Sequence, residues 1–283
     1  VEDNSYYNVE DGAFRVSVVC RFREETLAMI LAIWGEEKTG KSALALSFPD
    51  PLVHFDFDYG YDRVADSTYG HKLINGRSIT TNPYTLPVQF GGRKMEGAKE
   101  LWLKFLKDYL KALEDKEVKT IALDTGTQVW EVDKSGFLQE RQERDVAAGK
   151  VPREAILQIE YGEPNARMRS IYNAARGYKK HLVVTHYSRD EYRPRLNPQS
   201  GMMESASTGK LQLAGFGETP NMVDLVIYTY KVEKGKIDSP DYSQQLWGVI
   251  TTSGLGIELC GNIIQDVTYE KIVNLQKMLK GEV

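Results

Sequence analysis

Residues Gly35-Glu36-Glu37-Lys38-Thr39-Gly40-Lys41-Ser42 follow the spacing glycine, four residues, glycine, lysine, serine. Glycines at that separation let successive backbone N–H groups turn inward around a cluster of anionic oxygens. The helix that follows adds the partial positive charge of its N-terminus. A lysine at the next position reaches the outer phosphates, and the hydroxyl after it is placed to ligate magnesium. This set reads as a P-loop that binds ATP with Mg2+, its contacts running from Gly35 through Lys41 and Ser42 to Ala43. The flanks supply the context such a loop needs. A nearly continuous apolar run, Leu27 to Trp34, predicts a strand buried on both faces, and residues 43–47 continue as a short helix stopped by Pro49 and Pro51.

Phosphate chemistry needs carboxylates near the loop. Asp124 ends the run Thr120-Ile121-Ala122-Leu123 and is the candidate second magnesium-shell residue beside Ser42. Capping a following helix is a second use open to it. Asp58, with Asp56 behind it, closes the run Leu52 to Asp58 and is the candidate that orients or deprotonates water. Lys41 completes the catalytic set together with His186, which ends the strand 181–186 beside Thr185 and could sense the γ-phosphate. His54, His71 and His181 show no metal-ligand spacing. Arg189, Arg193 and Arg195, interleaved with Tyr187 and Tyr192 and followed by Lys210, fit contacts to a nucleic-acid backbone with stacked bases. The same cluster would also suit a kinase lid that clamps substrate phosphates.

The elements that must hold these residues alternate in type. Residues 1–26 form an N-terminal extension with one strand-like stretch, Phe14 to Phe22, and residues 27–283 form the main domain. Residues 60–95 are rich in glycine, asparagine, threonine and proline and read as loop with one hairpin. Leu101, Trp102, Phe105, Leu106, Tyr109 and Leu113 recur at helical spacing over residues 98–113, opposite a lysine-rich face. The charged stretch around Arg141, Arg144, Lys150 and Arg153 reads as an exposed face. A second amphipathic helix spans Pro164 to Tyr178. Residues 187–220 show no periodicity and read as one long loop, followed by strands over 222–230 and 245–252 and a helix over 268–280. The fold class is α/β, a mostly parallel central sheet covered by helices on both faces.

The 283 residues, 41% of them hydrophobic, suffice for a sizeable core, and a net charge of −4 argues against coating DNA by global basicity. The two cysteines, Cys20 and Cys260, match no disulfide or metal pattern and read as free core thiols in a reducing compartment. No apolar run approaches the roughly 18 residues of a membrane span, and the first residues show no leader pattern, which together suggest a cytoplasmic protein.

Taken in order, GEEKTGKSALALSFPDPLVHFDFDYG, TIALDTGTQVW, IEYGEPNARMRSIYNAARGYKKHLVVTHYSRDE, NMVDLVIY and GNIIQDVTYEKI resemble the RecA-like P-loop ATPases of bacteriophages and prophages, the single-strand-annealing recombinase type. The resemblance spans roughly residues 27–278. It implies a RecA-like ATPase core that assembles into rings or filaments, binds single-stranded DNA and promotes annealing or strand exchange alongside a single-strand-binding protein. By position it assigns Lys41 and Ser42 to phosphate and magnesium, Asp124 to the second magnesium-shell carboxylate, Asp58 to the catalytic carboxylate, His186 to the sensor, and the stretch from Tyr187 onward to the DNA-facing loop. Two departures stand out. An aspartate replaces the frequent catalytic glutamate, and the strand Gly248 to Gly254 lacks the lysines that RecA projects into a neighbour's site. A small-molecule phosphotransferase and a non-hydrolysing, nucleotide-dependent DNA-binding module are the competing expectations.

Overall fold

The computed structural model describes residues 28–87, 95–198, 201–235 and 242–282. The N-terminal extension, its expected strand and Cys20 lie outside them. The first strand, β1 (Ile30–Gly35), is buried along almost its whole length and runs into the P-loop and helix α1 (Lys41–Leu46). Then come β2 (Leu52–Asp56), α2 (Gly60–Asp66), α3 (Thr68–Ile74) and β3 (Ile79–Pro83). Helix α4 (Ala98–Glu114), β4 (Thr120–Asp124), the long α5 (Gly126–Ala147), α6 (Gly162–Gly177) and β5 (His181–His186) follow. The remainder comprises β6 (Ser188–Leu196), β7 (Met203–Leu213), a short α7 (Thr219–Met222), β8 (Leu225–Lys234), β9 (Ser243–Ser253), β10 (Ile263–Gln265) and α8 (Tyr269–Lys280).

Eight strands form one sheet in the order β10-β9-β8-β1-β5-β4-β2-β3. From β8 to β3 every pair is parallel, whereas β9 runs antiparallel to β8 and to β10. Apolar side chains leave both faces. On one, Trp102, Phe105 and Tyr109 of α4, Trp130 of α5 and Tyr172 of α6 pack over Phe55, Ile121, Leu123 and Val184. On the other, α1, α2, α3 and α8 cover Leu31, Ile33, Ala122 and Val183 through Leu44, Val64, Ile74 and Ile272. Each fully buried side chain of this size contributes roughly 1.5–3 kcal/mol. This is the covered, mostly parallel α/β sheet that the alternating pattern predicts.

Two stretches differ from the sequence reading. Residues 60–83 hold α2, α3 and the parallel strand β3 where loop and hairpin are expected, and residues 88–94 of that stretch lie outside the described residues. The two helices are too short for a period to show, and the Asp56 carboxylate starts the first of them by accepting the Gly60 and Tyr61 N–H groups at 2.8 and 3.1 Å. Residues 187–220 are not one loop, because β6 and β7 pair as an antiparallel hairpin with an irregularity between Asp190 and Tyr192. Most of its residues are exposed on both faces, so no apolar alternation marks it. The charged stretch after residue 137 is the second half of α5, whose Gln139 and Gln142 are buried. Arg153 pairs there with Asp145 and Glu160 at 2.8 and 2.9 Å. Cys260 is a free thiol, half-buried rather than in the core.

Candidate functional site

The P-loop bends where its glycines require it. Gly40 adopts φ +84° just before α1, and Gly35 sits at φ +152° with its α-carbon pressed against Thr229 of β8 so closely that a Cβ would overlap that residue's carbonyl. A side chain at Gly35 would therefore displace β8 or the loop. Thr39 ties the loop to β8 through a 2.7 Å hydroxyl contact with Thr229. Lys41 Nζ donates to the Gly35 carbonyl at 3.0 Å and to the Glu36 carbonyl. Burial lowers the lysine's pKa while Asp124, Asp58 and Glu37 pull it back up, so Asp124 and Asp58 both stand within electrostatic reach of its ammonium.

Asp124 is fully enclosed at the end of β4. Its Oδ1 accepts from Thr185 Oγ1 at 2.5 Å, the Ser42 hydroxyl lies beside the same carboxylate, and His54 Nε2 lies 3.5 Å from Oδ2. Burial opposes ionisation, but His54, Ser42 and Thr185 together outweigh it and hold the carboxyl below the ordinary range. The capping alternative falls to a neighbour, since it is Thr125 whose side chain accepts from Gln128 N–H at the start of α5. Gly60 closes the other side. A Cβ there would overlap Asp124 Oδ2 and stand 3.0 Å from Ser42 Oγ. A hydroxyl and an anionic carboxylate converging on a space kept clear by a glycine suit a small hard cation. Ser42 and Asp124 would hold magnesium there, and the ion would neutralise charge on the phosphate oxygens.

The other sequence candidates fall into three groups. Asp58 lies just past β2, about one third exposed, and pairs with Arg63 at 2.8 Å. Asp56 is turned to capping α2. Parity separates the two polar residues ending β5. Val183 packs against the α1 side and Val184 against the α5 side, so Thr185 points toward Asp124 and His186 toward α5. His186 is buried beside Gly126 and its Nδ1 meets the Ala214 carbonyl at 2.9 Å, across the base of the β6–β7 hairpin. Burial lowers its pKa to about 4, against the pull of that carbonyl, so the ring is neutral at pH 7. Arg189, Arg193, Arg195 and Lys210 all lie on the hairpin, away from Asp124. Glu191 pairs with Arg193 at 2.7 Å, and Glu204 stands opposite Arg195, so carboxylates are interleaved with the cations.

Two contributors carry no clear signal in the sequence, and a third, Tyr187, stands beside Asp58 although the sequence groups it with the base-stacking residues. In the sequence Thr185 is only the companion of His186. The spacing of His54 marks no metal site, yet the sheet brings it together with Asp56 and Asp124. Tyr187, the residue joining β5 to the hairpin, has its phenol beside Asp58, Gln128 and Thr125, and burial followed by Asp58 raises its pKa. Its backbone N–H donates to Thr127 Oγ1 at 3.1 Å, and Ala214 N–H returns to its carbonyl at 2.9 Å.

Residues 28–251 match the family described as AAA domain, and this span holds the P-loop, Asp124, Thr185 and the hairpin. The chain belongs to that family. It is therefore a P-loop NTPase, and nucleotide binding is the property that the AAA domain shares with the geometry above. No curated protein matches the chain. Among the described residues of this AAA-domain protein, no helix is long and apolar enough to cross a membrane.

Proposed function

We propose that the chain is an ATPase that binds ATP with Mg2+ and passes its nucleotide state to the β6–β7 hairpin, which contacts single-stranded DNA during recombination. The observation that carries the nucleotide half is the buried Asp124 carboxylate, held by Thr185 beside the Ser42 hydroxyl and within electrostatic reach of Lys41. In this reading the P-loop N–H groups and Lys41 hold the β- and γ-phosphates. Asp58 orients a water molecule for attack on the γ-phosphorus. The bond to the β–γ bridging oxygen breaks as the water's proton moves toward Asp58, giving ADP and phosphate.

The DNA half rests on position and on the resemblance to phage recombinases. The hairpin leaves the sheet directly after Thr185 and His186, with Tyr187 bridging its base to Asp58. Arg189, Arg195 and Lys210 are exposed along it beside Tyr192, groups suited to phosphate contact and base stacking. Assembly into a ring or filament and cooperation with a single-strand-binding protein belong to the same proposal.

Phosphate release measured with and without single-stranded DNA, alongside native mass with ATP, tests it. Expected are release abolished by Lys41→Ala, stimulation by DNA and a mass above the monomer. Turnover only with a small-molecule acceptor would overturn the DNA reading in favour of phosphotransfer, and absence of release would leave a nucleotide-dependent binding module.

A further inference from the structure

The P-loop face of the sheet carries a polar strip through an otherwise apolar floor. Thr81 of β3, His54 of β2, Asp124 of β4 and Thr185 of β5 lie on adjacent strands, with His54 in register with Thr81 and with Ala122, two residues before Asp124. His54 is fully buried. Among the described residues, both its ring nitrogens and the Thr81 hydroxyl lack a hydrogen-bond partner, as does Asp124 Oδ2, the oxygen that His54 Nε2 faces at 3.5 Å. The ring packs near Tyr61 of α2, with centroids 6.1 Å apart. A buried imidazole without a close partner is unfavourable in a core where leucine or phenylalanine would pack as well. Of the two carboxylates near it, Asp56 is engaged by the N–H groups that start α2, which leaves Asp124, the carboxylate assigned to magnesium, as the one with a free oxygen toward the ring.

We propose that His54 is a positioning residue for the magnesium site, steering Asp124 through Oδ2 while Thr185 holds Oδ1. The inference rests on the nucleotide reading of the site and extends it. With Thr185 alone the carboxylate could swing about that one bond. An imidazole N–H on the second oxygen fixes the plane of the carboxylate, the role that outer-shell groups commonly play toward metal-binding carboxylates. The role needs a donor at this position and no change of charge, which separates it from a packing role.

The test compares full-length wild-type protein with His54→Leu and His54→Gln. A fluorescent ATP analogue reports binding without magnesium and over a magnesium titration. For His54→Leu the expected result is unchanged affinity without magnesium and a magnesium midpoint raised 10–100-fold. His54→Gln, which keeps a donor, should recover most of that shift. Equal weakening with and without magnesium, or no recovery with glutamine, would show a packing role and overturn the proposal, as would an unshifted midpoint in His54→Leu. Wild-type protein whose nucleotide affinity ignores magnesium would overturn the reading of the site itself. If His54→Leu fails to give a cooperative melt, His54→Gln alone decides: a midpoint within threefold of wild type supports a donor role, and a larger shift refutes it.

Discussion

Replacing Gly60 with alanine tests the proposed magnesium site at its most crowded point. Gly60 opens α2 and its φ is not positive, so alanine suits the local backbone and favours the helix by up to about 1 kcal/mol. The new methyl group, however, would occupy the space beside Asp124 Oδ2 and Ser42 Oγ. Relief cannot come from sliding α2, because Gly60 N–H and Tyr61 N–H are both anchored on the Asp56 carboxylate, and Asp56 pairs in register with Asp124. The displacement, about 1 Å to restore van der Waals contact, falls on Asp124 and Ser42. A misplacement of that size costs on the order of 100-fold in turnover, equivalent to about 2.7 kcal/mol in the barrier. The assays are thermal unfolding without nucleotide and phosphate release over a magnesium titration. Expected are a cooperative melt at or modestly below the wild-type temperature, since the clash offsets the gain in helix propensity, and turnover reduced about 100-fold. Turnover within threefold of wild type would refute the claim that Ser42, Asp124 and Gly60 enclose the reacting metal's position.

Three further outcomes follow from the geometry. Thr185→Val keeps the shape but removes the donor to Asp124 Oδ1, and should reduce magnesium-dependent turnover by roughly 10–100-fold, as a lost bond to a charged group of about 1.5–3 kcal/mol implies; unchanged kinetics would reject the assignment. Asp133, buried in α5 and facing Arg167, Glu140 and Glu163, has its pKa pushed up to about 7 by burial, against the pull of Arg167. A raised folded-state pKa means stability is fully present below about pH 4 and declines toward pH 7, so Asp133→Asn should flatten that decline and raise the unfolding free energy at pH 8 by no more than about 4 kcal/mol; parallel pH–stability curves would refute this. On the hairpin, Arg189→Gln with Arg195→Gln should lower the salt dependence of single-stranded DNA binding by about 1.4 in log–log slope, two contacts at about 0.7 each. Arg193→Gln should change it least, since Glu191 already holds that guanidinium; an unchanged slope in the double variant would remove the hairpin from the DNA interface.

What the sequence reveals of this site depends on whether the relevant contacts are local. The P-loop is legible because its turn, anion cradle and lysine lie within eight consecutive residues, each present for a reason internal to the segment. Asp124 is legible as a polar residue closing the short β-rich run from Thr120, as a strand end does. Helices α2 and α3 are not, since seven residues show no period and the signal that starts α2 is a carboxylate four residues upstream, on a strand. The hairpin is hidden for the opposite reason: with both faces in water, nothing obliges its residues to alternate. Thr185 and His186 show where the limit falls. Alternation makes it certain that one of them faces the P-loop, but the choice is fixed by Val183 and Val184 packing on opposite sides of the sheet, a property of β1, β4 and the helices above them. His54 lies further beyond reach, because it meets Asp124 only through the pairing of β2 with β4, some 70 residues apart in sequence. Motifs announce the residues that touch phosphate. The groups that hold those residues still are distributed across strands, and the parallel order of the sheet decides which of them meet.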